Sequence, residues 1–490
     1  MLFQEGAFGK GVASANATLK IRGHASRRTT QKSFQIKLFD KKQPWRNLST
    51  IELNKHPYDL TRVRNKLCFD LFKTLPHMGS LRTQFIHLTI KRNAEDPGKD
   101  YGLFTQIESL NEHSLIDHGL DPNGIIYYPE DFFFLRYPDS LRLASDPQYK
   151  KEDFEKILGW PGNPDHAKLL AMLDDVNNEA LDIQQVMKKH FNLNNYLTWL
   201  AMNVLLENQD TYSQNFTLYS PSKGNVWYFL PWDYDGAMGF TSQPDQQNEA
   251  RLHLRWHQGI ANWWDSMLHR RFLKIPGNVA LLKAKIEELK NTIFTPEKIK
   301  GLLNEYHDTA KSYISRHPDL DYLPVKIPEN GKNASDAVLI SAFEEEYNRL
   351  PSTVEASYKS FISTLERPMP FHLGTVQAEE NHTQTAFYWN KSVSLSGDQI
   401  QYDLLISLKP DFTRESIVFE SLNLSDSQVT SSSPGTAKFS VSSEKIPQET
   451  LYWKIIARAE KNPQENWQTA FEFHEENEQL YDGVRSFTKP

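Results

Sequence analysis

The chain has 490 residues, 39% of them hydrophobic and 24% charged, with a formal net charge of -7. That length exceeds what one hydrophobic core usually supports, so two or three domains are expected, and the composition is that of an ordinary globular protein rather than a disordered one. No global basic excess points to nucleic acid as a partner, and no apolar run approaches the ~20 residues that a bilayer-spanning helix requires, so no transmembrane segment is expected.

Met1 is followed by LFQEGAFGKG, which lacks the basic start, apolar centre and small-residue cleavage site of a secretory leader, so no signal peptide is visible. EGAFGKG is not a Walker A loop, which disfavours a P-loop nucleotide site. ATLKIRG and KSFQIKLF read as two strands joined by HASRRTTQ, with Phe34, Ile36 and Leu38 on one face and Lys37 on the other. This stretch carries Lys20, Arg22, Arg27, Arg28, Lys32 and Lys37 without one acidic residue, the local asymmetry of an anion site or of a solvated face. Its small residues Gly23, Ala25 and Ser26 would let backbone N–H groups approach a phosphate. RVRNKLCFDLFKTL then has helical spacing, with Val63, Leu67, Leu71 and Leu75 on one stripe and Cys68 as a buried structural thiol. FIHLTIKR, the turn-rich NAEDPGKD and YGLFTQIES form a second hairpin.

In the middle third, NYLTWLAMNVLLEN is apolar on nearly all sides, as expected of a helix at the centre of a lobe. It leads into ENQDTYSQNFTLY, the turn PSKGN and VWYFLPWDYDG, a hairpin flanked by Asp210, Asn215, Asp233 and Asp235. Carboxylates set together repel unless a proton or cation resolves the conflict. With the hairpin centred on Lys223, Asn215 lies opposite Pro231 and Asp233 opposite Ser213, so both side chains converge within reach of one cation. An Asn amide oxygen and an Asp carboxylate are hard ligands for Mg2+ or Mn2+, and a separate carboxylate is needed to orient an attacking hydroxyl. Asp-x-x-x-x-Asn, a hairpin and a second Asp is the spacing of catalytic and metal-binding residues in protein kinases. The plainer reading makes NQD a turn and Asp233 a cap. Amphipathic patterns return at 277–316 and 336–366, and from about residue 370 short alternating runs suggest a small β-sandwich of fibronectin or immunoglobulin type, with the boundary near ERPMPFHLG.

Taken in order, RGHASRRTTQKSFQIKL, RVRNKLCFDLF, YGLFTQIES, NYLTWLAMNVLLENQDTYSQNFTLY and YFLPWDYDGAMGF resemble the CotH kinase family over about residues 18–240. The resemblance implies an α+β fold with an atypical, two-lobed kinase-like domain. Its β-rich N-terminal lobe would span residues 1–120 and its mostly helical lobe 121–368, with the β-sandwich at 369–490. It implies transfer of phosphate from ATP to serine or threonine of a protein substrate, with Asp210 as catalytic aspartate and Asn215 and Asp233 as metal ligands. Lys37 would steady the ATP phosphates, Arg22 and the turn through Arg28 would cover them, and Glu108 would match the glutamate closing the family's G-x-Y-x-x-x-E run. An extracellular or cell-envelope location is favoured, with the C-terminal domain binding protein or carbohydrate. Two rivals remain open. A glycoside hydrolase would use Glu207, Asp210 and Asp233 with aromatic platforms from NWWDSM, and a non-catalytic envelope scaffold would keep the fold without turnover. His253 and His257 in HLRWH are read as a surface pair rather than a metal site.

Overall fold

Alternation of apolar residues builds the first sheet. In the computed structural model, β1 (Ala17–Arg22), β2 (Ser33–Leu38), β3 (Thr50–Asn54), α1 (Arg64–Phe72), β4 (Thr83–Ile90) and β5 (Lys99–Ile107) give an antiparallel sheet of order β1-β2-β3-β5-β4. One face buries Phe34, Ile36, Leu38, Ile51, Leu53 and Phe104 together. Because side chains alternate along a strand, Arg22, Gln35, Lys37 and Glu52 fall on the opposite face. The structure describes all residues except Leu2, 4–14, His24, 41–44, Asn47, Pro76, Ala94, Asn163, 244–252, 326–334, Asn381 and 431–432. EGAFGKG and His24 of the basic turn therefore lie outside the described residues.

The helix expected from Arg62 starts at Arg64. Arg62 is left-handed at φ 62°, and its guanidinium turns back to the carbonyls of Lys55 (3.0 Å) and His56 (2.5 Å). Asp59 Oδ2 instead accepts from the Arg64 backbone N–H at 3.1 Å and opens the helix there. Val63, Leu67, Cys68, Leu71 and Leu75 are all buried, so the stripe read from spacing is the packed face.

Next come α2 (Glu112–Asp117), β6 (Ile125–Pro129), α3 (Lys151–Glu155), β7 (Leu158–Gly159), α4 (Ala167–Asn177), α5 (Ile183–His190), α6 (Leu193–Leu206), β8 (Phe216–Ser220) and β9 (Tyr228–Pro231). The strands among them form an antiparallel sheet of order β7-β6-β8-β9. Every residue of α6 from Asn195 to Leu206 is buried, which is why its sequence shows no polar face. Asn195 clamps the helix to β9 by donating to Phe229 O (3.0 Å) and accepting from Phe229 N (2.7 Å), while Trp199 packs on the Phe229 ring at 4.6 Å.

Among the described residues there follow α7 (Met267–Leu273), α8 (Pro276–Thr292), α9 (Pro296–Ile314) and α10 (Asp336–Leu365). The pattern over 277–316 is thus divided, because Thr295 caps α9 through Lys298 N (3.3 Å) and Pro296 occupies its first turn. The C-terminal strands are β10 (Leu373–Ala378), β11 (Gln384–Asn390), β12 (Ile400–Ser407), β13 (Ile417–Leu424), β14 (Thr436–Ser442), β15 (Thr450–Ala459), β16 (Trp467–Thr469), β17 (Phe473–Glu476), β18 (Gln479–Asp482) and β19 (Arg485–Thr488). Sheets β10-β11-β14 and β13-β12-β15-β16, with β19 also on β15, share a core around Phe387, Trp389, Tyr402 and Trp453. By contacts the chain forms two units, the first of residues 1–132, 136–247 and 284–356, the second of 133–135, 248–283 and 357–490.

The structure corrects one feature of the hydrolase reading. Trp263 and Trp264 of NWWDSM are 2% and 3% exposed, so they fill a core and cannot serve as sugar platforms. His253 and His257 do not share an α-helix, since only a 3-10 turn spans Arg255–His257, and His257 Nδ1 pairs with Asn262 Oδ1 at 2.7 Å. Among the described residues no helix is long and apolar enough to cross a membrane.

Candidate functional site

The acidic residues gather where α6 ends and the β8–β9 hairpin opens. Glu207, left-handed at φ 52°, stops α6, and a 3-10 turn over Gln209–Tyr212 carries Asp210. Asn208 is buried in this turn and donates through Nδ2 to the carbonyl of Asp233 at 3.1 Å, which ties the loop before β8 to the segment after β9.

The hairpin register differs by one residue from the expected one. Phe216 pairs with Pro231 and Tyr219 with Tyr228, so the centre lies between Lys223 and Gly224 rather than on Lys223. Asn215 accordingly lies opposite Trp232, and Asp233 opposite Gln214. The turn has an even number of residues, with Gly224 supplying a left-handed position at φ 91°. Simple alternation from that register does not set the two side chains, because Asn215 (φ 57°) and Asp233 (φ 54°) both leave the strand conformation. Two left-handed, non-glycine residues thus stand at the mouth of one hairpin, a backbone state found at functional sites.

Behind the mouth lies a buried polar strap, residues 54–65. Asn65 Oδ1 accepts from Tyr234 N at 3.1 Å, so its Nδ2 is the atom facing His56 Nε2 at 3.3 Å. That makes Nε2 the acceptor and leaves the proton on Nδ1, which donates to Asp235 Oδ2 at 3.0 Å. Lys55, next to His56, is buried against Asp319 at 2.5 Å, and burial lowers its ammonium to about 8. Arg64 joins Asp59 (2.5 Å) and Glu346, with all three side chains buried.

Electrostatics separate the three carboxylates. Asp233 is raised above the ordinary range by burial and then by the charge of Asp235, against the pull of Arg22. Burial alone would raise Asp235, but its hydrogen bonds with His56 and Asp233 and the charge of Arg64 together bring it below the ordinary range. Asp210 reaches solvent at the mouth, yet the surrounding protein and then Asp235 push it up to about 6. Asp233 Oδ1 is buried and has no hydrogen-bond partner. A buried carboxylate oxygen with no donor, beside a second anion, is the arrangement that a cation relieves. Among the described residues no three His, Cys, Asp or Glu side chains close on one point as a metal cage. Carboxylate oxygens such as those of Asp210 and Asp233 are of the hard type that Mg2+ takes, alongside waters and phosphate.

The sheet contributes unequally. Arg22, at the end of β1, pairs through Nε with Glu52 Oε2 at 2.7 Å, bonds Asn54 Oδ1, and is near enough to Asp233 to lower it. Gln35 (2.8 Å) and Ser109 (3.2 Å) complete the setting of Glu52. Tyr128 of β6 is held up to about 12 by burial and then by Glu52, which brings the second sheet against this pair. Gly23 is left-handed at φ 86°, and a Cβ there would collide with Ser26 Oγ, which bonds back to Arg22 O at 3.2 Å. Arg28 is exposed on that turn.

Lys37 and Glu108 are placed elsewhere. Lys37 pairs in register with Thr18 and Thr50, four residues along β2 from the Arg22–Ser33 pair, or about 13 Å at ~3.3 Å per residue. It is exposed, and Arg22 occupies the position nearer the carboxylates. Glu108 is fully buried and accepts from Arg82 (Nε 3.0 Å, Nη2 2.5 Å) and His118 (2.9 Å). Sequence reasoning passed over His56, Asn65 and Asn208. The visible signal was the run NKHPYDLTRVRN, too polar for the core position it fills.

The family model described as CotH kinase protein matches residues 19–359. The chain is 28% identical over 227 residues to the inner spore coat protein H of Bacillus subtilis (strain 168), covering 45% of this chain and 58% of that protein. The match thus spans little more than half the length of that relative.

Proposed function

The chain belongs to the CotH kinase family, and we propose that it transfers the γ-phosphoryl group of ATP to a serine or threonine hydroxyl of a protein substrate, using Mg2+ or Mn2+. The observation that carries this reading is the unpartnered Oδ1 of Asp233, buried between Asp210, Asp235 and the reach of Arg22. Asn215 and Asp233 would hold the metal, which supplies charge neutralisation on phosphate oxygens. Asp210 orients the substrate hydroxyl and takes its proton as the oxygen bonds to the γ-phosphorus and the bond to the β-phosphate breaks, releasing ADP. Its raised affinity for protons suits a base, and a bound cation draws it back toward the charged form. His56 and Asn65 fix Asp235 and the backbone of Tyr234, so the loop carrying Asp233 is set before nucleotide arrives. Arg22, held by Glu52, faces the phosphates, with Arg28 on the turn above it. On this reading the first unit works as a two-lobed kinase-like domain, with the first sheet over the nucleotide and the α6 region beneath.

The positive charge of Arg22 inside the site favours phosphate over a neutral sugar, and the burial of Trp263 and Trp264 removes the aromatic platforms of the hydrolase reading. The relative's name places that protein in a spore coat, and a coat or envelope location is proposed here too. The C-terminal strands, in sheets of A-B-E and C′-C-F-G order, suit a fibronectin-like module that holds the enzyme to protein or carbohydrate. The test is thermal stabilisation by ATP with and without Mg2+ or Mn2+, then transfer of labelled phosphate to a generic protein. Loss of transfer in both Asp210→Asn and Asp233→Asn supports the reading, and transfer that survives in both overturns it.

A further inference from the structure

Glu108 stands out because it is buried, charged and outside the carboxylate site. Its partners point to a second feature, a cleft of about 700 Å³ at the turn end of the β8–β9 hairpin, lined among others by Lys73, Arg82, His118, Tyr219, Tyr228 and Leu230. Leu230, the lining residue nearest the mouth along β9, is three residues from Asp233, about 10 Å at ~3.3 Å per residue, and neither Asp210, Asn215, Asp233 nor Asp235 lines the cleft. Glu108 fixes Arg82 and His118 at its wall, and Asp117 also holds Arg82 Nη2 at 2.7 Å. No bond is made by Arg82 Nη1 to any described residue, although the side chain is 49% exposed. Lys73 is likewise 49% exposed, anchored to Asp70 Oδ1 at 2.5 Å. Asp121, the acidic residue of the lining, is occupied by Ser222 (N at 2.9 Å, Oγ at 2.5 Å) and by Asn123 N at 2.9 Å. Leu230 and Tyr219 belong to a small apolar cluster with Tyr228 packed on it. Pre-oriented cations around an apolar floor complement an anionic chain that carries an apolar side chain.

We propose that this cleft docks an acidic peptide segment of the protein substrate, its apolar side chain against Tyr219, Tyr228 and Leu230 and its flanking carboxylates or phosphoserines on Arg82 and Lys73. The word substrate rests on the proposed kinase reading; the binding does not. Glu108 is thereby a positioning residue for docking rather than a nucleotide contact.

The test uses full-length protein carrying Asp210→Asn, without nucleotide, so that turnover cannot register. Fluorescence anisotropy reads the binding of three labelled dodecapeptides, alternating Glu-Leu, phosphoserine-Leu and Lys-Leu. The first two are expected to bind and the third not, with at least tenfold weakening by Lys73→Glu, by Tyr228→Ala and by high salt. Lys73→Glu leaves Asp70 bonded to Lys66 and Tyr306, so the fold is retained. The relative strength of the first two peptides tells whether carboxylate or phosphate is the natural charge. Binding that both substitutions leave unchanged, or complete displacement by millimolar inorganic phosphate, overturns the proposal. In the Asp210-intact enzyme, Lys73→Glu should reduce transfer to the Glu-Leu peptide extended by a serine, and not to a short serine peptide without it. Absence of all transfer there, with docking intact, refutes the kinase reading alone.

Discussion

Replacing Asp233 by Asn removes one charge from the acidic mouth and keeps its shape. At an effective dielectric constant of ~20 two like charges ~4 Å apart repel by about 4 kcal/mol, and the attraction of Arg22 offsets part of the repulsion between Asp233 and Asp235. A net relief of about 1–2 kcal/mol is expected at pH 8 without divalent metal. The sign follows from proton binding. Native Asp233 keeps its proton at pH values where the unfolded chain has lost it, so wild-type stability falls as pH rises above the ordinary carboxylate range. Asp235 is depressed and acts with the opposite sign, costing stability only as pH falls below that range. At pH 5 variant and wild type should therefore melt close together. At pH 8 the variant should melt higher, by about 3–6 °C at the ~2–4 °C per kcal/mol typical of large domains. ATP with Mn2+ should reverse the order, stabilising the wild type and leaving the variant where it was. Differential scanning fluorimetry across pH reads all four conditions. A variant that melts below wild type at pH 8 without metal, or that keeps the nucleotide-dependent gain, refutes the idea that Asp233 is an anion awaiting a cation.

Asp210→Asn should lower phosphate transfer by about 10²–10⁴-fold while nucleotide-dependent stabilisation persists, because a base acts on the hydroxyl and not on ATP binding. In the wild type, kcat/KM, which reports the free enzyme, should decline as pH drops through about 6, with the limb for kcat shifted lower by the bound cation. Gly23→Ala forces an L-residue into a left-handed site at a cost of about 1–2 kcal/mol and strikes Ser26, so ATP affinity measured by calorimetry should fall about tenfold. Arg64→Met leaves Asp59 buried without its cation, while Glu346 keeps Arg349, and urea unfolding of the first unit should lose about 3–5 kcal/mol. His56→Ala should weaken metal-dependent nucleotide binding about 10–100-fold without altering docking of an acidic peptide, since the ring holds Asp235 and lies away from the cleft.

Much of the local structure was legible because it repeats with a short period. Phe34, Ile36 and Leu38 alternate and are buried together, α6 is apolar on every side and is enclosed, and the alternating runs after residue 370 became strands. Periodicity is a property of neighbouring residues, and burial imposes it directly. The candidate site was legible as a set of residue types around one hairpin, since carboxylates and an amide must be encoded wherever they are used. Their arrangement was not. A one-residue change of register and two left-handed backbones decide where Asn215 and Asp233 point, and those follow from turn geometry and from Asn208 and Asn65 gripping the backbone. Neither Lys37 nor Glu108 differs in type from a nucleotide contact. Only strand register moves Lys37 away from the carboxylates, and only the approach of Arg82 and His118 gives Glu108 another task. The sequence by itself determined the strongly periodic helices and strands and which chemistry is present. The tertiary structure decided which charges share a volume, because Coulomb energies depend on distances between residues far apart in the chain, to which no local pattern responds.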